Sequence, residues 1–183
     1  MKKTDKGLVI LNQEQVLKVL NGKPKGLTLL GNVGIGKSWL FEQVFNYEKI
    51  HGKQFDIIKP EMYTANEIAS IYSLGGMEAI LSKFKYQLEG RQPLVIDDIG
   101  TELILGNYGD KMDVVEWLIL ECYAAKAPIF TTTNLTLEAL TKRYGTRVVD
   151  RLKEKTFVIV LEGKSFREET YKNTETELSN FNI

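Results

Sequence analysis

Residues 31–38, Gly-Asn-Val-Gly-Ile-Gly-Lys-Ser, place three glycines, a lysine and a hydroxyl directly behind the apolar run Leu27-Thr28-Leu29-Leu30. Glycine adopts positive φ without strain, so such a loop can turn its backbone N–H groups inward. Those groups, with the first turn of a following helix, form a cradle for an anion. The spacing G-x-x-x-x-G-K-S fixes Gly31, Gly36, Lys37 and Ser38 at the positions a nucleotide phosphate site needs. Lys37 then reaches the β- and γ-phosphates and Ser38 ligates Mg²⁺. Asn32, Val33, Gly34 and Ile35 complete the loop, and Trp39 opens the helix that closes it.

Such a site requires an acidic residue at the end of a neighbouring apolar strand to hold the metal shell. Val95-Ile96-Asp97-Asp98 supplies it. Asp97 is the expected metal-shell residue. Asp98 either orients or deprotonates an attacking water, or caps the following turn. Glu102 is a lesser candidate base, or a solvated loop charge. Asn134, at the end of Ile129-Phe130-Thr131-Thr132-Thr133, offers an amide that positions the water, or caps the next helix.

These residues need a scaffold of strands and helices. Apolar runs at 26–30, 55–58, 93–98, 128–134 and 156–161 read as strands, near-continuous in apolar character as strands covered on both faces are. Helical spacing separates them: Trp39–Phe45, a helix opened by the capping box Thr64-Ala65-Asn66-Glu67, Asp113–Ala125, Thr136–Tyr144 closed by Gly145, and a further turn over Val148–Lys153. The alternation predicts an α/β fold: a P-loop NTPase of three α/β/α layers with a five-stranded parallel sheet. An amphipathic helix over Asn12–Leu20 is expected ahead of it. The predicted division is a short extension over 1–25, an ATPase core over 26–170 and a polar, frayed tail over 171–183.

Lys+Arg and Asp+Glu balance at 24 each, which excludes a strongly basic nucleic-acid coat but leaves room for a local patch. A single cysteine, Cys122, forms no internal disulfide and reads as a buried small residue in a reducing compartment. No apolar run approaches the roughly 18 residues of a membrane span. A cytoplasmic protein with no membrane partner is expected.

The blocks GNVGIGKS, LVIDDIGTE, TTTN, RYGTRVVDRL and GKSFR, in that order, resemble the DnaC/IstB group of AAA+ ATPases over roughly residues 25–170. That group contains replicative-helicase loaders and transposition helpers. The resemblance implies Walker A at Lys37 and Ser38, Walker B at Asp97 and Asp98, and sensor 1 at Asn134. It further implies an arginine finger at Arg151 assisted by Arg147, a sensor 2 arginine at Arg167, and no separate lid domain. ATP and Mg²⁺ are the implied cofactors. A replicative helicase, single-stranded DNA and other copies of the chain are the implied partners. A finger donated by a neighbouring subunit makes hydrolysis depend on assembly. Three features depart from the group. Only residues 1–25 precede the first core strand, where loaders carry a helicase-docking extension. Cys122 stands where the group tends to have arginine. Walker B ends in Asp-Asp rather than Asp-Glu, which implies slow turnover.

Lys142, Arg143, Arg147, Arg151, Lys153 and Lys155 cluster along one stretch, and Lys83 and Lys85 flank Phe84 and Tyr86. Basic and aromatic residues together suit a strand with exposed bases, and a solvated charged face is the other reading. His51, in a Gly-flanked turn, carries no metal or catalytic expectation. Trp39 and Trp117 fit apolar helical patterns and are expected in the core. Three rivals to a helicase loader stand. One is an IstB-like transposition helper. Another is a P-loop kinase for a nucleoside or small metabolite, with Thr141–Arg151 as its lid. The third is a nucleotide-gated binding module with negligible hydrolysis.

Overall fold

The computed structural model describes residues 2–3, 9–11, 26–42, 45, 60–103, 105–107, 110–163 and 165. The described strands are β1 (Lys2–Lys3), β2 (Val9–Leu11), β3 (Gly26–Leu30), β4 (Met62–Thr64), β5 (Leu94–Asp97), β6 (Leu105–Asn107), β7 (Asp110–Met112), β8 (Ile129–Thr133) and β9 (Phe157–Leu161). The helices are α1 (37–42), α2 (Ala65–Lys83), α3 (Lys85–Leu88), α4 (Val114–Ala124) and α5 (Leu137–Lys155).

The main sheet runs β1-β2-β9-β3-β8-β5-β4. Its five core strands, β9 to β4, are all parallel. At the β9 edge, β2 adds in parallel and β1 in antiparallel fashion, two strands that composition did not flag. The fifth core strand also differs from expectation: β4 lies at Met62–Thr64, whereas residues 55–58 and the expected helix Asn12–Leu20 lie outside the described residues. Strands β6 and β7 form a separate antiparallel pair between β5 and α4.

Side-chain alternation divides the sheet's apolar residues between two faces. Leu27, Leu29, Val95, Phe130 and Ile159 pack with Leu40 and Phe41 of α1. Leu30, Leu94, Ile96 and Ile129 pack with Ile68 and Ile80 of α2, Leu118 and Ile119 of α4, and Leu140 and Val148 of α5. This is the three-layer α/β/α arrangement. Phe41, Phe45 and Phe130 meet in tilted and edge-on contacts, with the Phe45 and Phe130 centroids 5.2 Å apart. Cys122 is fully buried on the other face, in the cluster that holds Ile68, Leu118 and Leu140, as expected.

A file of hydroxyls crosses the buried centre. Thr131 Oγ1 donates to Thr28 Oγ1 at 3.0 Å, and Thr28 and Thr156 hydroxyls lie 2.8 Å apart. Thr156 Oγ1 donates to the Leu152 carbonyl at 2.7 Å.

Capping follows the sequence closely. Glu67 N donates to Thr64 Oγ1 at 3.1 Å and Thr64 N donates to Glu67 Oε2 at 2.6 Å, the expected capping box. Asp113 caps α4 and Thr136 caps α5. Helix α2 is broken at Gly76 (φ 61°) and α5 at Gly145 (φ 79°), both in the left-handed region that favours glycine. The break in α5 falls where the sequence placed the end of the Thr136–Tyr144 helix. No helix among the described residues is long and apolar enough to cross a membrane.

Candidate functional site

The parallel registers bring the C-terminal ends of β3, β5 and β8 to one edge: Leu30 lies opposite Thr133, and Ile96 opposite Thr131. The chain leaves β3 for the far edge at β4, returns through β5 and β8, and ends at β9 on the other side of β3. Ligands of open α/β sheets bind beyond the strand ends at such a reversal.

The glycine loop leaves β3 here. Gly31 N donates to the Thr133 carbonyl at 3.2 Å, tying the loop to β8. A Cβ on Gly31 would lie 2.8 Å from the Leu161 carbonyl oxygen, so a side chain there would push the loop off β9. Gly34 and Gly36 have φ of 80° and 89° and turn the loop into α1. Lys37 is only 6% exposed. Its ammonium donates to the carbonyls of Gly31 and Asn32, both at 2.9 Å, and to Asn134 Oδ1 at 2.6 Å. Val33 and Trp39 remain about half exposed or more, at 59% and 50%. Trp39 is therefore not a core residue: it lies on the open side of α1, while Leu40 and Phe41 take the buried side. Trp117 packs partly buried against the core.

Ser38 Oγ lies 2.8 Å from Asp97 Oδ2 and 3.0 Å from Oδ1. Asp97 also accepts from the Thr132 hydroxyl. Asp98 takes a left-handed backbone (φ 55°), a conformation aspartate tolerates better than most residues. Its carboxylate accepts from Asn134 Nδ2 at 3.0 Å. Asn134 thus joins Lys37 on one side to Asp98 on the other. Five expected residues, Lys37, Ser38, Asp97, Asp98 and Asn134, form one connected cluster. The alternatives for Asp98 and Asn134 as caps are disfavoured, since Thr136 caps α5 and the Asp98 side chain faces Asn134.

The donor set fits a nucleotide-bound Mg²⁺. Mg²⁺ prefers hard oxygen ligands and keeps several waters and phosphate oxygens, so it needs few protein ligands. Ser38 and Asp97 present a hydroxyl and a carboxylate side by side beneath the loop. Among the described residues no group of three or more acidic, His or Cys side chains forms an all-protein metal cage.

Glu102 is not a solvated charge, and it does not join the cluster. It is 5% exposed, and Oε2 accepts from Gly100 N at 2.9 Å. Oε1 accepts from Arg143 at 2.6 Å and from the Tyr144 hydroxyl at 2.5 Å. Tyr144 also receives Gly100 N at 2.7 Å, and Arg143 pairs with Asp113. Burial opposes the Arg143 charge, but the bond to Asp113 and the nearby Glu102 more than offset it and raise its pKa. Burial, reinforced by Glu102, drives the Tyr144 phenol far above its ordinary value, so it stays a donor. This network bolts the loop after Asp98 to α5. It also accounts for Arg143, one of the basic residues grouped from sequence. Thr141–Arg151 is packed helix, with Tyr144, Val148 and Val149 buried, which speaks against the mobile lid of a kinase.

Arg151 does not join the cluster. It lies on the second arm of α5, with its guanidinium carbon 4.7 Å from the Tyr123 ring centroid and NH1 2.9 Å from Glu154 Oε2. The bond to Glu154, helped by the Tyr123 oxygen, raises its pKa. Arg147 is exposed on the same arm, and Arg167 and His51 lie outside the described residues. Lys83 pairs with Glu61 at 3.5 Å and sits 5.1 Å from the Tyr63 ring centroid. Phe84 is fully buried against Tyr63 and offers no face to a base, leaving exposed Tyr86 and Lys85 as what remains of that patch.

No protein-family model matches the chain, and no curated protein is significantly similar to it. Solved structures are. The DnaC helicase loader superposes with a TM-score of 0.59 at 21% identity over 87% of this chain and 96% of that one. DnaI gives 0.56 at 18% identity over 81% and 80%. A replication initiator DnaA bound to AMPPCP and single-stranded DNA gives 0.53 at 18% identity, over 93% of this chain but only 50% of that one. At these identities the likeness establishes the fold, the α/β arrangement that these structures share. The DnaC helicase loader among them is of the group that the sequence blocks resemble.

Proposed function

We propose that this chain is an ATP-binding and ATP-hydrolysing switch that assembles on ATP and loads or remodels a replicative helicase on single-stranded DNA. The observation that carries the reading is the convergence of Lys37, Ser38–Asp97 and Asn134–Asp98 at the ends of β3, β5 and β8. The fold neighbours support it: one is a helicase loader, and another is an initiator bound to an ATP analogue and single-stranded DNA.

In this reading the loop N–H groups and the Lys37 ammonium bind the phosphates of ATP. Ser38 and Asp97 would hold Mg²⁺, which would supply charge neutralisation at the phosphate oxygens. Asp98 orients the attacking water or takes its proton, and Asn134 keeps that carboxylate aimed while its other end senses Lys37. Lys37 must exchange the Asn134 oxygen for phosphate, so nucleotide state is passed directly to the residue that holds Asp98.

Arg151 acts in a neighbouring copy. It rests on Tyr123 and Glu154 of its own chain, at the surface, where a second subunit's nucleotide can take over its charge. Hydrolysis then follows assembly. Arg167 serves as the sensor 2 arginine.

Sedimentation of the chain with ADP and with a non-hydrolysable ATP analogue, each with and without labelled single-stranded DNA, tests this. Larger species carrying DNA only with the ATP analogue are expected. A monomer under all four conditions refutes the assembly reading.

A further inference from the structure

Thr132 touches both acids of the site, Asp97 through its side chain and Asp98 through its backbone. We propose that Thr132 is a positioning residue for both acids of the site: its one hydroxyl orients the Asp97 carboxylate and pins the backbone of Asp98. The inference rests on the reading of Asp97 and Asp98 as Mg²⁺-ATP residues and deepens it.

Thr132 lies in β8 and is fully buried. A threonine hydroxyl has one proton to give and lone pairs to receive. The proton goes to Asp97 Oδ1. That oxygen and its twin also face Ser38 Oγ, so the carboxylate is held between a hydroxyl on β8 and a hydroxyl on α1. The acceptor side of Thr132 takes the Asp98 N–H at 2.9 Å. This fixes the residue at which the chain turns left-handed out of β5, and the turn directs the Asp98 carboxylate to Asn134. The next residue is tied to β8 as well: Ile99 N donates to the Thr132 carbonyl at 2.9 Å, and Thr133 Oγ1 donates to the Ile99 carbonyl at 2.8 Å.

The three consecutive threonines divide their work by the alternation of the strand. Thr131 reaches Thr28 and Thr133 reaches Ile99 on one face, leaving Thr132 alone on the face shared with Asp97. Valine has nearly the same shape as threonine but no hydroxyl. At 132 it would leave the Asp98 N–H without that acceptor and remove one of the two hydroxyls that hold the Asp97 carboxylate. Groups that orient a metal ligand through one hydrogen bond commonly change metal affinity by about 10–100-fold when lost.

The test uses the full chain as wild type, T132V and T132S. A fluorescent ATP analogue is titrated in EDTA and then across a range of Mg²⁺. Hydrogen exchange at the Asp98 amide is followed without ligand. T132V is expected to bind the analogue in EDTA within about twofold of wild type, to need roughly tenfold more Mg²⁺ for half-maximal tightening, and to exchange the Asp98 amide faster. T132S is expected to restore both. If T132V does not fold, T132A against T132S makes the same comparison. An unchanged Mg²⁺ requirement in a folded hydroxyl-less variant overturns the inference and leaves the ATPase reading standing. A wild-type chain that binds no analogue at any Mg²⁺ concentration overturns that reading first, and this inference with it.

Discussion

Replacing Glu102 by alanine separates a structural from a catalytic carboxylate. In the wild type this side chain accepts from Gly100 N, Arg143 and Tyr144 while almost wholly buried. The variant removes three bonds to the carboxylate, each of a kind that contributes about 1.5–3 kcal/mol. Losses are tempered at each remaining end. Arg143 keeps Asp113, and Gly100 N keeps the Tyr144 oxygen. Breaking a buried ion pair by removing one member costs about 3–5 kcal/mol, and the surviving partners bring the expectation to roughly 2–4 kcal/mol. For a chain of this length that is a fall in Tm of roughly 5–15 °C. Urea unfolding of E102A, R143A and the double variant gives the coupling between the two residues, expected to exceed about 1 kcal/mol. E102Q, which keeps the shape and some of the bonds, is expected to hydrolyse ATP at a rate within about threefold of wild type, far from the roughly 10²-fold or larger loss of a catalytic base. A folded E102A within about 0.5 kcal/mol of wild type, the range of an ordinary surface substitution, would refute the structural account. Loss of hydrolysis in a stable E102Q would return Glu102 to the list of bases.

Lys37→Ala is expected to abolish ATP binding, read by loss of fluorescent-analogue binding at millimolar Mg²⁺. Arg151→Ala is expected to bind ATP like wild type yet lose most hydrolysis; mixing it with Lys37→Ala chains is expected to restore part of the rate, and no restoration counts against a finger donated in trans. Cys122 is pushed up to about 12 by burial, with the Glu121 charge adding to it, so its thiol stays protonated and unreactive to iodoacetamide at pH 8 until the chain unfolds. Folding free energy gains from that raised thiol only below the unfolded value near 9, and loses the contribution as pH rises toward 12. DNA retention by the ATP-bound assembly is expected to fall steeply between low and moderate salt, as phosphate-dominated binding does.

The glycine loop, the Asp-Asp pair and Asn134 were legible because each sits at the end of an apolar run, where a strand must stop and a polar residue has a reason to be. Thr64 and Gly145 were legible for the same local reason: caps and breaks are written in the residues that make them. What was not legible depends on pairing across the chain. Met62–Thr64 is short and ordinary in composition, and becomes a strand only because β5 pairs with it. Residues 2–3 and 9–11 join the sheet only through β9. Glu102 reads as a loop acid until α5, 41 residues away, brings Arg143 onto it. Trp39 follows an apolar rhythm, but the buried side of α1 is filled by Leu40 and Phe41. Thr132 hides in a run that any buried strand carries.

The hydroxyl file across the centre of the sheet has a direction. Thr156 gives its proton to the Leu152 carbonyl, so the proton between Thr156 and Thr28 must come from Thr28, whose oxygen in turn accepts from Thr131. Each hydroxyl gives once and the first two acceptors receive once, leaving a single arrangement of protons along the line. Its three members belong to the strand that launches the glycine loop, the strand that Asn134 follows and the junction behind the helix that carries Arg151. The file works like the wards of a lock: a slip of β3 by a single residue brings Leu27 or Leu29 to the place of Thr28, where a hydroxyl is required. The phosphate loop, the amide and the arginine are thereby held to a common register by a row of small side chains that touch none of them.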